Sequence, residues 1–212
     1  MHAEKRKNKV IVSVINDLAT DQRVHKAAVT LVEEGYEVLV VGRKIKHSLP
    51  LAGRPYKTRR FRLLFNKGPL FYACYNTRLF FFIIFRKVHI LIANDLDTLA
   101  ANFLVTRFRK VSLVFDSHEL FTEMPELIHR PQKRGFWMKL EKRLLPKIKY
   151  AYTVSAPIAA FYNEKYYMDI KVIRNLPFRL EKAPVVEKFP GNTAVIIYQG
   201  ALNIGRGLEY II

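Results

Sequence analysis

The sequence has one cysteine, Cys74, among 212 residues. No intrachain disulfide can form and no cysteine cluster can hold zinc, which suits a reducing compartment. No apolar run reaches the ~20 residues that span a bilayer. The longest, LFYACYNTRLFFFIIF at 70–85, is 16 residues and is interrupted by Asn76 and Arg78. The amino-terminal MHAEKRKNK leads straight into a strand pattern and lacks the apolar core of a secretory signal, so a cytoplasmic chain is expected. There is no repeat of fixed period and no low-complexity tract. Acidic residues are missing from Val38 to Asn94, a span that carries twelve lysines and arginines.

That gap accounts for most of an unusual charge. Lys and Arg number 36 against 18 Asp and Glu, a net +18. Such a field attracts polyanions: nucleic acid, an anionic membrane or a phosphorylated substrate. A solvated basic face with no specific partner is the bland alternative. Arg59, Arg60, Arg62 and Lys67 are the candidate membrane or anion contacts. Strand alternation would place Arg60 and Arg62 on one face and Arg59 on the other. The 70–85 run reads as a core helix with Phe71, Tyr72, Tyr75, Leu79, Phe82 and Phe85 on or near one face. Its alternative is an interfacial helix with Lys67, Arg86 and Lys87 at headgroup level.

What is present is alternation. Strands are expected at 9–15, 37–42, 57–65, 88–93, 111–116, 150–154 and 170–174. Helices are expected at about 21–34, 69–86, 96–108, 133–147 and 156–166. The strands are continuous apolar runs, VIVSVI, EVLVVG, HILIA and SLVF, as in a parallel sheet covered on both faces. A doubly wound α/β domain follows, whose ligands sit beyond the carboxyl ends of the strands. Residues 175–192 have three prolines and no period, and so read as a linker. TAVIIY at 193–198 then begins a second sheet, and the turn with Gly200, Gly205 and Gly207 before a helix start makes an anion cradle. An ordinary βα turn is the alternative.

The loops after the strands hold the candidate chemistry. The first, NDLATDQRVH, has no glycine before Gly35, which argues against a G-x-G-x-x-G dinucleotide site. Asn16, Asp17, Thr20, Asp21 and Arg23 fill it instead, with Asp21 best placed as the helix cap. They either cap and pair among themselves or form a polar mouth for a substrate hydroxyl or phosphate. Asp95 and Asp97 follow the HILIA strand, and Asp116, His118, Glu119 and Glu123 follow the SLVF strand. The acids are either caps or substrate contacts. His118 is either structural or a proton-relaying group whose neighbouring carboxylates orient its ring and raise its basicity. Asp116, His118 and Glu119 are too close on one loop to suit a metal, and none is expected.

Six segments in register, NDLATDQRVHKAAVTLVEEGYEVLVVGR, HILIANDLDTLAA, VFDSHELFTEMPEL, YTVSAPIAAFYNEKY, KVIRNLP and YQGALNIGRGLEYII, resemble the amino-terminal half of retaining GT-B glycosyltransferases of family 4. The resemblance implies an acceptor-side Rossmann-like domain at 1–175, a linker at 176–192 and the start of a donor domain at 193–212, with the rest of that domain missing. It implies no cofactor; the donor substrate is a nucleotide-diphospho-sugar. His118 would reach the transferred sugar and Arg206, with Gly200, Gly205 and Gly207, would grip the diphosphate. Ala201 stands where a second basic residue is common. Asn16, Asp17, Thr20, Arg23, Asp95, Asp116 and Glu119 would bind substrate. The implied activity is transfer of a hexose, with retention, to a lipid-linked or polysaccharide acceptor in cell-envelope synthesis. The chain would work at the inner face of the plasma membrane, and its 212 residues alone would be inactive. A sugar-nucleotide epimerase of the same architecture is the alternative enzyme. A nucleic-acid-binding module would use the same charge, but Phe61, Leu63 and Phe65 alternate as in a buried strand, and no nucleic acid is expected.

Overall fold

A computed structural model describes residues 8–51, 53–178, 197 and 198. Seven parallel strands form one sheet: β1 (Lys9–Asp17), β2 (Glu37–Arg43), β3 (Lys57–Phe61), β4 (Ile90–Asn94), β5 (Ser112–Ser117), β6 (Tyr150–Thr153) and β7 (Lys171–Val172), ordered β3-β2-β1-β4-β5-β6-β7. The helices are α1 (Gln22–Glu33), α2 (Gly68–Ile84), α3 (Leu96–Phe108), α4 (Pro125–Ile128), α5 (Pro131–Leu144) and α6 (Ala156–Tyr166). This is the doubly wound, Rossmann-like arrangement. The strand order reverses direction between β1 and β4, and at such a switch point loops diverge and leave a crevice.

Residue alternation along β1 shows why the sheet is buried on both sides. Val10, Val12 and Val14 join Val24 and Ala28 of α1 and Val38 and Val40 of β2 in one core. Leu51 and Tyr56, from the helix-free connection between β2 and β3, complete that layer. Ile11 and Ile15 face the opposite way, onto a larger core built from α2, α3, α5 and α6. The sheet ladder between β1 and β2 breaks between Ser13 and Asp17. Tyr75, fully buried on α2, stitches that gap by donating to the Val14 carbonyl at 2.6 Å and lying 3.3 Å from that of Val41.

Departures from the sequence reading have local causes. β3 ends at Phe61, not 65; its last ladder bond is from the Lys44 N–H to the Phe61 carbonyl, and the following Arg62 carbonyl accepts from Arg78 of α2 at 2.7 Å. Arg62 therefore shares no strand face with Arg60. Helix α5 stops at Leu144 and a 3-10 turn carries the chain to Lys147, because Pro146 has no N–H to continue the helix. A 3-10 turn at Phe121–Glu123 and the one-turn α4 were not expected from the sequence. On α2, Phe71, Tyr75, Leu79 and Ile83 at four-residue spacing meet the sheet, while Phe85, expected near that face, is 83% exposed. Asn76, which interrupts the apolar run, joins two helices: it donates to the Asp97 carbonyl at 2.8 Å and accepts from the Ala101 N–H at 3.2 Å.

The chain divides after Asn175. Of the second unit, Leu176–Ile212, only residues 176–178, 197 and 198 are described. Ile197 and Tyr198 lie exposed and outside any strand. Residues 193–196 of the expected strand, and Gly200, Gly205, Arg206 and Gly207, lie outside the described residues.

Candidate functional site

Two groups of polar residues meet at the carboxyl ends of the central strands. The first surrounds the turn from β1 into α1. Asp21 caps α1, its Oδ1 accepting the Val24 N–H at 3.1 Å, while its Oδ2 accepts from Asn16 Nδ2 at 3.1 Å. Asp17 closes the turn: its Oδ1 accepts the Ala19 N–H at 3.2 Å, its carbonyl accepts the Thr20 hydroxyl at 3.3 Å, and Arg60 approaches at 3.7 Å. Arg60, taken with the outward cations in the sequence, thus turns inward. Its guanidinium also donates to the Leu49 carbonyl at 2.8 Å. Arg59, Arg62 and Lys67 are exposed.

Above this turn lies an open cavity of about 410 Å³ lined by Asn16, Asp17, Thr20, Asp21, Gln22, Arg23, Arg43 and Ile45. The capping alternative and the polar-mouth alternative coexist here: Asn16, Asp17 and Asp21 hold the turn while Thr20, Gln22 and Arg23 face the space. Arg43, at the end of β2, lies with its guanidinium carbon 4.9 Å from the Phe71 ring centre, and its buried Nε has no hydrogen-bond partner among the described residues. The turn approaches β2 so closely that a side chain at 42 has no room. A Cβ on Gly42 would stand 2.5 Å from Leu18 Cδ2 and 2.9 Å from the Asn16 carbonyl oxygen.

The second group spans β4, β5 and β6. Asn94, at the end of β4, donates to the Ser13 carbonyl at 3.0 Å and presents Oδ1 to His118 Nε2 at 3.3 Å. Asp116 Oδ2 lies 3.4 Å from the same nitrogen and accepts the Tyr152 hydroxyl at 2.6 Å. Tyr152 reaches it because β5 and β6 pair Asp116 with Tyr152 in register. Two acceptors face Nε2, so that nitrogen carries the proton, and Nδ1, buried without a partner among the described residues, is left as an acceptor.

Burial governs the charge states. It raises the Asp116 carboxyl to about 7 against the Tyr152 hydrogen bond, and raises Asp95 to about 7 against the hydrogen bond from the His118 amide. Asp97, buried on the first turn of α3 with Oδ1 unpartnered, is pushed up by burial and by Asp95. His118 moves the other way, to about 4, through burial and the nearby Arg23 charge. The expectation that carboxylates raise its basicity is thereby corrected: desolvation outweighs them, and the ring is neutral at pH 7. Arg23 influences His118, Asp95 and Asp116, and so connects the two groups electrostatically. Glu119 is exposed at the rim, where its carbonyl accepts the Ser117 hydroxyl at 3.0 Å. Among the described residues no group of three His, Cys, Asp or Glu has the geometry of a metal site.

The sequence reading missed Arg43, Asn94 and Tyr152 as site members. Arg43 and Asn94 were within reach, since each closes an apolar strand at its carboxyl end. Tyr152 was not, because its place depends on the register between two strands.

Comparison with known proteins gives a consistent picture. The family model described as Glycosyltransferase Family 4 matches residues 21–176. No curated protein sequence matches the chain. Among solved structures, sucrose-phosphate synthase from Thermosynechococcus elongatus aligns with a TM-score of 0.60 at 14% identity, over 79% of this chain and 48% of that one. A glycosyltransferase from Rickettsia africae aligns at 0.55 and 14%, over 80% and 43%. An Arabidopsis thaliana UGT complexed with UDP-L-rhamnose aligns at 0.56 and 13%, over 84% and 56%. The chain thus spans about half the length of these proteins, and the likeness is one of fold. A shorter segment of the T. elongatus synthase, 87% covered, aligns at 0.57 and 11%.

Proposed function

The chain belongs to glycosyltransferase family 4, and from that premise we propose that its first 175 residues form the acceptor side of an enzyme that moves a hexose from a nucleotide-diphospho-sugar to a lipid-linked or polysaccharide acceptor of the cell envelope. The observation that carries the reading is His118. It is held between Asn94 and Asp116 at the carboxyl end of the sheet, neutral, with an acceptor nitrogen that no group among the described residues satisfies. A buried acceptor without a donor costs stability. A sugar hydroxyl would supply that donor.

A ring that is neutral at pH 7 does not act as a cationic acid. Its task on this reading is to hold the transferred sugar while the anomeric carbon exchanges partners. The bond from that carbon to the diphosphate oxygen breaks, and the bond to the acceptor oxygen forms on the same face. The acceptor proton passes to the departing diphosphate, and the configuration is retained. Arg23, Arg43 and the α1 N-terminus would stabilise negative charge beside the cavity. Arg206 with Gly200, Gly205 and Gly207 would cradle the diphosphate. The Arabidopsis relative was solved with UDP-L-rhamnose and a Siraitia grosvenorii relative with UDP, which supports a nucleotide-sugar donor here.

The test assays the full-length protein with UDP- and GDP-hexoses and polyprenyl-diphosphate-linked or polysaccharide acceptors, reading product anomeric configuration by NMR. Retained products and a His118→Ala loss in kcat/KM of about tenfold are expected, the size of one hydrogen bond. Any limb near pH 7 should belong to Asp116 and Asp95 and persist in His118→Ala. Inverted product, or a limb near pH 6.5 that vanishes in His118→Ala, would overturn the reading.

A further inference from the structure

We propose that the outward stripe of α2, with the loop that precedes it, docks on an anionic lipid surface. The sheet-facing side of α2 is used by Phe71, Tyr75, Leu79 and Ile83, yet the opposite side is also apolar. Leu70 and Phe81, eleven residues apart and therefore on one line of the helix, are 60% and 57% exposed. Exposed Ala73 and Thr77 lie between them. Phe85, 83% exposed, follows the last turn, and Leu64, 88% exposed, lies in the loop before the first. A soluble helix normally turns a charged face to water; this one turns leucine and phenylalanine.

Cations bracket the stripe. Exposed Arg62 and Lys67 stand at its start and exposed Arg86 and Lys87 at its end, and among the described residues no carboxylate pairs with any of the four. Exposed apolar tips flanked by lysine and arginine match the layering of a bilayer surface, acyl boundary below and phosphates above. A second copy of the chain would bring like charges together at both ends of the helix. Nucleic acid would leave Leu64 and Leu70 unused, since aliphatic tips offer no stacking platform.

The surface is preformed. Arg78 spans the helix and the loop: it donates to the Arg62 carbonyl at 2.7 Å and lies over the Phe61 ring at 5.0 Å. Docking therefore orders little that is not already ordered. Among the described residues no helix is long and apolar enough to cross a membrane, so the contact is one of lying on the surface. A second cavity of about 370 Å³, lined by Lys44, Ile45, Lys46, Arg62, Leu63 and Asn66, shares Ile45 with the cavity over the α1 turn. The lipid surface would then meet the protein beside the mouth of the candidate site.

Cosedimentation of the full chain with vesicles tests this without donor or acceptor sugar, so its outcome is independent of the transfer reading. Binding is expected to phosphatidylcholine vesicles that contain phosphatidylglycerol, weakening with added salt, and not to phosphatidylcholine alone. Leu70→Ser with Phe85→Ser, and separately Arg86→Glu with Lys87→Glu, should each lower it about tenfold or more while thermal unfolding stays as in the parent. Protein left in the supernatant with both vesicles overturns the proposal. So does equal binding to both, or a serine variant that pellets like the parent. Capture of a single-stranded oligonucleotide without vesicle binding, unaffected by the serine changes, assigns the charge to nucleic acid instead.

Discussion

The His118 backbone N–H donates to the Asp95 carboxylate at 3.0 Å, which ties the residue after β5 to the residue after β4. The link is doubled, because the Asp95 N–H donates to the Asp116 carbonyl at 2.8 Å. Asp95 occupies the N-cap position of α3 but does not cap it; its side chain turns to the β5 loop. Its backbone sits at φ 58, ψ 172, a conformation that side-chain-bearing residues rarely adopt. Strain of this kind persists where neighbouring interactions over-determine it, as the two hydrogen bonds do here.

The Asp95 series separates these contributions. Asp95→Asn keeps an acceptor for the His118 amide and should unfold in urea close to the parent at pH 4, where the buried Asp95 carboxyl, raised to about 7, is protonated. Asp95→Ala loses the acceptor and keeps the strain, and should cost about 2 kcal/mol. Asp95→Gly loses the acceptor but relieves the backbone, so it should lie about 1 kcal/mol above the alanine variant. An alanine variant as stable as the glycine variant would remove strain from the account.

Asp116 gives a pH dependence whose sign is fixed by its environment. Its folded pKa of about 7 stands above the ordinary carboxyl value of 3.8, chiefly through burial. The folded state then binds more protons than the unfolded one between those values, so this group's contribution is full below pH ~4 and is lost as the pH rises to ~7. Asp116→Asn removes the ionisation while an oxygen can still accept from Tyr152. The stability difference between variant and parent should therefore shift in the variant's favour by about 4 kcal/mol from pH 4 to pH 8, measured by chemical denaturation. His118 has the opposite sign, since its depressed pKa favours folding above pH 6.5, but it is common to both proteins and largely cancels. A difference that stays flat across that range would show that Asp116 is ionised and compensated throughout.

The order of elements was legible because β1, β2, β4 and β5 are continuous apolar runs and most helices carry a recognisable start. Asp21 announced α1, and the HILIA and SLVF runs ended within two residues of β4 and β5. The limits of β3 were not legible, because KTRRF is no apolar run and its extent is set by pairing with β2, a separate part of the chain. The same reason divides the candidate site. His118, Asp116 and Asp95 follow strand ends and could be placed by counting. The protonation of His118 could not, because Arg23 and the buried surroundings arrive from other parts of the sheet. Composition read the basic span correctly as an excess of charge, but burial alone distinguishes Arg60, turned onto Asp17, from Arg62, left in solvent.

Gly42 tests whether the α1 turn and the cavity above it are mechanically coupled. The residue is buried in β2, and its hydrogen faces the Leu18 side chain and the Asn16 carbonyl. Gly42→Ala would bring a methyl within 2.5 Å of Leu18 Cδ2, 2.7 Å of Leu18 Cγ and 2.9 Å of the Asn16 oxygen. Leu18 is itself 5% exposed and packed in the α1-side core, so it has little room to rotate, and the backbone oxygen has less. The cost expected from overpacking is about 1–3 kcal/mol in urea denaturation. Relief requires the 16–21 turn to lift from the sheet, which moves Asn16, Thr20 and Arg23 together and enlarges or distorts the cavity they line. Amide hydrogen exchange should then quicken at Ala19 and Val24, whose N–H groups are held by Asp17 and Asp21, while exchange in β5 and β6 stays as in the parent. A variant that loses stability with uniform exchange across the sheet would mean that the strain spreads through β2, and the turn would not be the compliant element.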